Sequence, residues 1–296
     1  MKRAFFIVGP TAVGKSELAA EMAQRTSAEV LSADAFQIYR GLDLLTAKPD
    51  SATRAKAPHH LIGTFPLSEE MNAEKFRFAA EKIMDRGKPI IVVGGTGLYV
   101  KALTHGIAEL PGANAKLREK LEGTTSEELF RSLRKLDPVG AEKIDRQNRR
   151  RLVRAVEVCL LTHKPFSAQR TEWNESAPTN GVLLERDRAE LYARINQRVE
   201  AMFAAGVDDE VRAAKKIGPT AEKTLGLREI QALIAGEISQ NECIARIQQA
   251  TRRYAKRQLT WFRRQTNFPS LNLSAHDPAE AVELISQSAS RVFASG

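Results

Sequence analysis

The stretch Gly9-Pro-Thr-Ala-Val-Gly-Lys15-Ser16 constrains this chain more than any other. It matches G-x-x-x-x-G-K-[ST] and lies between a short apolar run, Ala4 to Val8, and a helical pattern from Lys15 to Arg25. An apolar run of that length ending at Gly-Pro reads as a buried parallel strand. Glycines let the backbone curl until successive N–H groups point inward at phosphate oxygens, and the following helix adds partial positive charge from its N-terminus. Gly9, Pro10, Thr11, Ala12, Val13, Gly14, Lys15 and Ser16 are therefore expected to cradle a diphosphate. Lys15 would neutralise it, and the Ser16 hydroxyl would ligate a Mg2+ ion that bridges the phosphates.

Strand, glycine loop and helix open an α/β fold, and two further apolar runs extend it. Glu29 to Ala33 delivers Asp34 at its end, and Pro89 to Val93 delivers Gly94-Gly-Thr96-Gly97. In an open parallel sheet ligands sit at the carboxyl ends of the strands, so the three loops are expected to converge on one edge. The expected architecture is a P-loop NTPase-like core, a parallel sheet flanked by helices, formed by residues 1–109 and 183–296. An inserted helical subdomain is expected over 110–182. It begins where Pro111-Gly112 breaks the pattern, runs to about Arg170 through helices rich in Arg, Lys and Glu, and closes with a polar loop from Glu172 to Gly181. Beyond it, Leu191, Ile195, Met202 and Phe203 recur at helical spacing, and a further helix runs through Gln248 to Phe262. A short strand is expected at Leu271 to Leu273, with a helix start at Asp277-Pro278.

Lys and Arg number 45 against 36 Asp and Glu, a formal charge of +9 that attracts polyanions such as nucleic acid. No apolar run approaches the roughly 18 residues that cross a bilayer. The basic start Met1-Lys2-Arg3 leads into only about five apolar residues, too few for a signal-peptide core. A cytoplasmic protein without a membrane partner is expected, with Cys159 and Cys243 as reduced core thiols. His59 and His60 follow Pro58 as turn formers, without metal-ligand spacing.

A phosphate cradle recognises a pyrophosphate and not what is attached to it. A nucleoside triphosphate and an allylic diphosphate both fit. NTPases usually carry a strand that ends in a magnesium-holding Asp, whereas here the later strand ends in Gly94-Gly95. The other motifs narrow the choice. Ser32-Ala-Asp-Ala-Phe-Gln-Ile-Tyr-Arg40, Thr46-Ala-Lys-Pro49, Pro58-His-His-Leu-Ile62, Gly94-Gly-Thr-Gly-Leu-Tyr99 and Ala255-Lys-Arg-Gln-Leu-Thr-Trp-Phe-Arg263, with the phosphate loop, resemble the bacterial tRNA dimethylallyltransferases in order and spacing. The resemblance spans nearly the whole chain. It implies transfer of a dimethylallyl group from dimethylallyl diphosphate to the exocyclic amine of the adenosine 3′ of the anticodon. The implied partner is the tRNA anticodon stem-loop, from which the adenine is flipped into a channel. A monomer is expected.

The resemblance also assigns roles. Asp34 matches the family's acid, a general base for an amine whose lone pair is delocalised into the ring; as a lone residue it would read as a strand-end cap. Thr96 resembles the family's threonine near the reactive nucleotide, or else is a turn threonine between glycines. Asp34, Lys15 and Thr96 form the expected catalytic set. Ala35, Phe36 and Gln37 follow on the tRNA side, with the Gln37 amide either reading the base or facing solvent. Lys223 and Arg228 reach phosphate or are simply solvated. Ala35, Leu44-Leu45 and Gly63 depart from the residues more usual in the family.

Between Arg131 and Arg170 eleven Lys or Arg stand against four Asp or Glu. A helix here would turn Leu152, Val156, Cys159 and Leu160 to a core and present Arg150, Arg151 and Arg154 to tRNA phosphates, unless the run is only a solvated face. A second basic cluster, Arg252-Arg253, Lys256-Arg257 and Arg263-Arg264, is interleaved with Tyr254, Trp261 and Phe262, which read as core. Three other functions use the same loop: a small-molecule kinase, prenylation of free adenine nucleotides, and RNA binding without catalysis.

Overall fold

The computed structural model describes residues 3–108, 110–169 and 180–294. All but the last two residues of the polar stretch 172–181 lie outside them. The chain divides into two compact units, one from Met1–Thr104 with Ala177–Gly296 and the other from His105–Ser176.

The larger unit opens with β1 (Ala4–Val8), α1 (Lys15–Thr26), β2 (Glu29–Ser32), α2 (Ser51–Ala55), β3 (His59–His60), α3 (Ala73–Met84), β4 (Ile90–Gly94) and α4 (Gly97–His105). The smaller unit holds α5 (Ala115–Glu122), α6 (Ser126–Leu136), α7 (Pro138–Lys143) and α8 (Arg149–Thr162). The chain then returns through β5 (Gly181–Glu185), α9 (Arg188–Ala204), α10 (Val207–Ala213), α11 (Leu227–Ile234), α12 (Gln240–Gln265), β6 (Ser270–Asn272) and α13 (Pro278–Ala294). The strands form one sheet in the order β3-β2-β4-β1-β5-β6, and every pairing is parallel.

β1 reads as five consecutive apolar residues because both sheet faces are covered. Ala4, Phe6 and Val8 face one core with α3 and α4, while Phe5 and Ile7 face another with α1 and α13. Each of the Phe, Ile and Val side chains, fully buried, contributes roughly 1.5–3 kcal/mol. The interior strand β4 ends at a glycine for a steric reason: a Cβ on Gly94 would stand 2.3 Å from the Ala33 carbonyl oxygen. The neighbouring strand ends are thereby drawn close, and Thr96 N–H donates to that same oxygen at 3.2 Å.

The smaller unit has its own core of Leu129, Leu133, Leu152, Val156 and Cys159. Thr125 and Glu128 close a capping box at the start of α6, satisfying N–H groups that the helix leaves open. Leu160 does not join this core. It lies about 100° round the helix from Cys159, on the flank of the buried stripe, and is 39% exposed. Cys159 and Cys243 are both free and buried. No helix among the described residues is long and apolar enough to cross a membrane.

Candidate active site

The loops after β1, β2 and β4 meet at a cleft of about 410 Å³ at the carboxyl edge of the sheet, and Lys15, Ser16, Asp34, Gln37 and Gly94 line it. Gly14 adopts φ 106°, a left-handed conformation that side chains resist, and so turns the loop into the N-terminus of α1. The partly buried Lys15 donates from Nζ to the Pro10 carbonyl at 2.7 Å. Burial pushes its ammonium down to about 8, against the opposing pull of Asp34; Arg198 deepens the depression and Glu17 relieves it.

Three arginines that sequence reasoning missed converge on this loop. Arg186 Nε donates to the Val13 carbonyl at 2.9 Å, Arg194 Nε to the Ala12 carbonyl at 2.9 Å, and Arg198 Nη2 to the Thr11 hydroxyl at 2.8 Å. Arg186 also pairs with Glu190. A signal was there to be read. Arg194 and Arg198 stand four apart beside the apolar stripe of Leu191, Ile195 and Val199 on α9, so they share a face. The shielded Nε of Arg198 has no partner among the described residues. Together with Lys15 these groups concentrate fixed positive charge at the phosphate loop.

Asp34 shares the cleft with Lys15, Arg194 and Arg198. Its Oδ1 accepts from the Phe36 N–H at 2.9 Å and the Gln37 N–H at 3.2 Å, so it caps a turn and lines the cleft at once. The Thr96 hydroxyl accepts from the Ala35 N–H at 2.9 Å, which leaves its own proton to donate. Tyr254 does not belong to the core as its helical spacing implied. It is half-buried in the cleft wall, where burial raises its phenol and the hydroxyl lies within hydrogen-bond reach of Thr96 and Gln258. Its neighbours behave as expected, with Phe262 fully buried and Trp261 packed over Gly97.

Comparison with known proteins places this geometry. A family model described as IPP transferase matches residues 37–265, and one described as isopentenyl transferase matches residues 2–56. The chain belongs to the IPP transferase family. It is 39% identical over 281 residues to the tRNA dimethylallyltransferase of Akkermansia muciniphila, covering 94% of this chain and 96% of that one. The crystal structure of the full-length tRNA isopentenylpyrophosphate transferase of Bacillus halodurans superposes with a TM-score of 0.70 at 32% identity, covering 99% and 98% of the two chains. A eukaryotic dimethylallyltransferase described as acting on tRNA superposes with a TM-score of 0.77 at 26% identity, covering 91% of this chain and 74% of that one. The α/β fold with a parallel, P-loop-type sheet is thus shared with solved members of the family.

In this IPP transferase the remaining residues singled out on the sequence fall into distinct settings. Gln37 is tied inward: its Nε2 donates to the Ala47 carbonyl at 3.0 Å and the Thr46 carbonyl at 3.3 Å, and its Oε1 accepts from the Ser32 hydroxyl at 3.3 Å. The same loop is held from outside by Glu210, whose carboxylate accepts from the Leu44 and Leu45 N–H groups at 2.8 and 2.9 Å. Only backbone is used there, which makes room for Leu44-Leu45. Ala35 and Phe36 are half-buried, and Phe36 lines the cleft. Lys223 and Arg228 are exposed and do not line it; Arg228 pairs with Glu222 at 3.3 Å.

The arginines of α8 divide. Arg150 and Arg151 are exposed. Arg154, grouped with them on the sequence, turns inward and donates to Glu157 at 2.9 Å and to the Pro111 carbonyl at 2.7 Å. The reason is the Glu157 carboxylate, which is fully buried and also receives Arg118 at 2.7 Å and the Asn114 N–H at 3.0 Å. Arg149 donates to the Glu122 and Thr124 carbonyls at 2.6 Å each, closing the end of α5.

No group of three or more His, Cys, Asp or Glu that could hold a metal occurs among the described residues. His60 is engaged with Glu29 at 2.7 Å, and His59 Nδ1 with the Ala57 carbonyl at 2.7 Å. The cleft still suits a magnesium ion of the kind that takes most of its oxygens from substrate phosphates and water, because Ser16, which carries a hydroxyl, lines it beside Lys15.

Proposed function

We propose that this chain transfers a dimethylallyl group from dimethylallyl diphosphate to the exocyclic amine of the adenosine 3′ of the anticodon in tRNA. The observation that carries the reading is one cleft that holds both a cationic phosphate loop and a carboxylate. Lys15, Arg194 and Arg198 gather around the phosphate loop, and Asp34 lines the same cleft, with Thr96 tied to the residue after it through the Ala35 N–H. Relatives of nearly the same length bear the name tRNA dimethylallyltransferase, which supports tRNA as the acceptor.

In the reaction, the adenine nitrogen forms a bond to the allylic carbon as the bond from that carbon to the diphosphate oxygen breaks, and the leaving diphosphate keeps the electron pair. Asp34 accepts the amine proton. Lys15 and the arginines meet the charge that grows on the leaving group, and because they are already held in place no reorganisation is needed at that moment. Ser16 would hold Mg2+, which when bound supplies further positive charge to the diphosphate. Arg150 and Arg151 are offered to the phosphates of the anticodon stem.

The test is nucleoside mass spectrometry of unmodified tRNA incubated with the protein, Mg2+ and dimethylallyl diphosphate. Prenylated adenosine at the position 3′ of the anticodon is expected. Prenylation of free AMP instead, or consumption of ATP without prenylation, would overturn the assignment.

A further inference from the structure

Gln258 joins two of the loops that meet at the cleft, those after β1 and β4. It stands on α12 one turn after Tyr254 and is 5% exposed. Its Oε1 accepts from the Thr11 N–H at 2.9 Å, and its Nε2 donates to the Gly95 carbonyl at 2.9 Å. One planar amide thus spans from the phosphate loop to the loop that carries Thr96. Turning the amide over would set oxygen against oxygen and N–H against N–H, so its orientation is fixed. Gly95 leaves it room: a Cβ there would lie 2.1 Å from Nε2, although the backbone conformation at Gly95 is open to any residue. Ala255 and Phe262, 1% and 0% exposed, anchor the same helix in the two cores, so the bridge stands on a rigid support.

We propose that Gln258 is a positioning residue that sets the separation between the donor's allylic carbon and the acceptor amine. The inference rests on the reaction assigned above. Transfer requires the reacting atoms about 3–3.5 Å apart, and a shift of about 1 Å can cost about a hundredfold in rate. Thr11 N–H is committed to Gln258 and so does not serve the phosphates, whereas Lys15 and Ser16 lie at the other end of the loop. Removing the bridge therefore changes the spacing of the two loops more than the grip on the diphosphate.

Two substitutions attack the bridge from opposite sides. Gln258→Met keeps the length of the side chain and removes both hydrogen bonds; Gly95→Ala keeps Gln258 and pushes its amide away. In each, single-turnover transfer is expected to fall about tenfold or more, while the Kd for inorganic pyrophosphate stays within about threefold. The double mutant should be no slower than the slower single mutant, because one bridge can be broken only once. Additive losses, or a rate that merely follows the folded fraction in a melting curve, would overturn the positioning role. So would a loss of pyrophosphate affinity equal to the loss of rate. Wild-type protein without any transfer would sink the functional reading itself, whereas wild-type transfer with an unchanged Gln258→Met would sink the positioning role alone.

Discussion

Two groups of arginines in this molecule behave against what their settings in the sequence suggest. Arg149, Arg150, Arg151 and Arg154 form the densest run of charge, yet Arg149 and Arg154 are absorbed within the smaller unit by backbone carbonyls and the buried Glu157. Arg194 and Arg198 attract no notice in a helix of mixed charge, yet both reach the phosphate loop. What separates the groups is the location of the compensating carboxylate. Glu157 lies under its arginines at 0% exposure, and an ionised carboxylate so placed must be paired. Arg198 and Lys15 have Asp34 nearby, but the lining of the cleft sets three cations, Lys15, Arg194 and Arg198, against two carboxylates, Glu17 and Asp34. That leaves the cleft with cationic capacity for a ligand to fill.

The contrast is tested most severely at Asp34. Because Oδ1 also caps a turn, Asp34→Asn keeps an acceptor for the Phe36 and Gln37 N–H groups while removing the base. Transfer is expected to fall about a hundredfold or more, with pyrophosphate and tRNA binding largely retained. Single-turnover kinetics with equilibrium binding on the same protein checks this, and near-normal turnover would remove Asp34 from the chemistry. Lys15→Ala should come next, weakening pyrophosphate binding and slowing transfer by about ten- to a hundredfold. Its depressed pKa adds a sign. The free site loses the Lys15 charge as pH rises through about 8, and a bound diphosphate restores it. Binding above that pH should therefore take up a proton, visible as a buffer-dependent enthalpy in calorimetry. Uptake that persists in Lys15→Ala would assign the proton elsewhere.

Much of the site was legible because its determinants are local. The phosphate loop follows from its own glycines and its place between strand and helix, and Asp34 and Thr96 follow from the ends of apolar strands in a parallel sheet. The residues supplied by the return of the chain after β5 were harder to read. Arg186, Arg194 and Gln258 lie between 173 and 247 residues along the chain from the loop atoms they bond. Nothing within a helical window reports such a partner. Tyr254 was misplaced for a related reason: its spacing along α12 resembles that of core residues, and only the packing of α12 against the sheet edge shows that this turn faces a cleft. Arg154 shows the same limit in the smaller unit, since its partner Glu157 lies within one turn but that carboxylate is also held by Asn114 and Arg118, about forty residues earlier.

Glu157 sharpens the comparison from the structural side. Burial pushes its carboxyl up, but hydrogen bonds from Arg118, Arg154 and the Asn114 backbone outweigh it and hold the carboxyl below its usual range. A lowered pKa in the folded state means that stability is fully present above the unfolded value, about 4.3, and is lost as pH falls through the lower folded value. Glu157→Leu should cost about 2 kcal/mol or more and flatten that acid limb in thermal melts. An acid limb unchanged by the substitution would show that the ion pairs carry no stability.

The smallest effect, and the one that decides whether α8 touches RNA, is expected from Arg150 and Arg151. Both guanidinium groups are exposed, so replacing them with Gln should leave the melting temperature nearly unchanged. If they contact the anticodon stem, binding releases fewer counterions, and the slope of log affinity against log salt should flatten by up to about two units. Arg154→Gln provides the internal control. Its guanidinium is held by Glu157 and the Pro111 carbonyl, so this variant should lose thermal stability and keep the wild-type salt slope. Measuring tRNA binding across a salt series beside a melting curve thus places each arginine in one of two classes. Should the Arg150/Arg151 double variant keep both its stability and its slope, the basic face of α12, with Arg253, Lys256 and Arg257 exposed, becomes the better candidate for the RNA grip. The same salt series on a triple Gln variant of those residues would then have to show the missing slope.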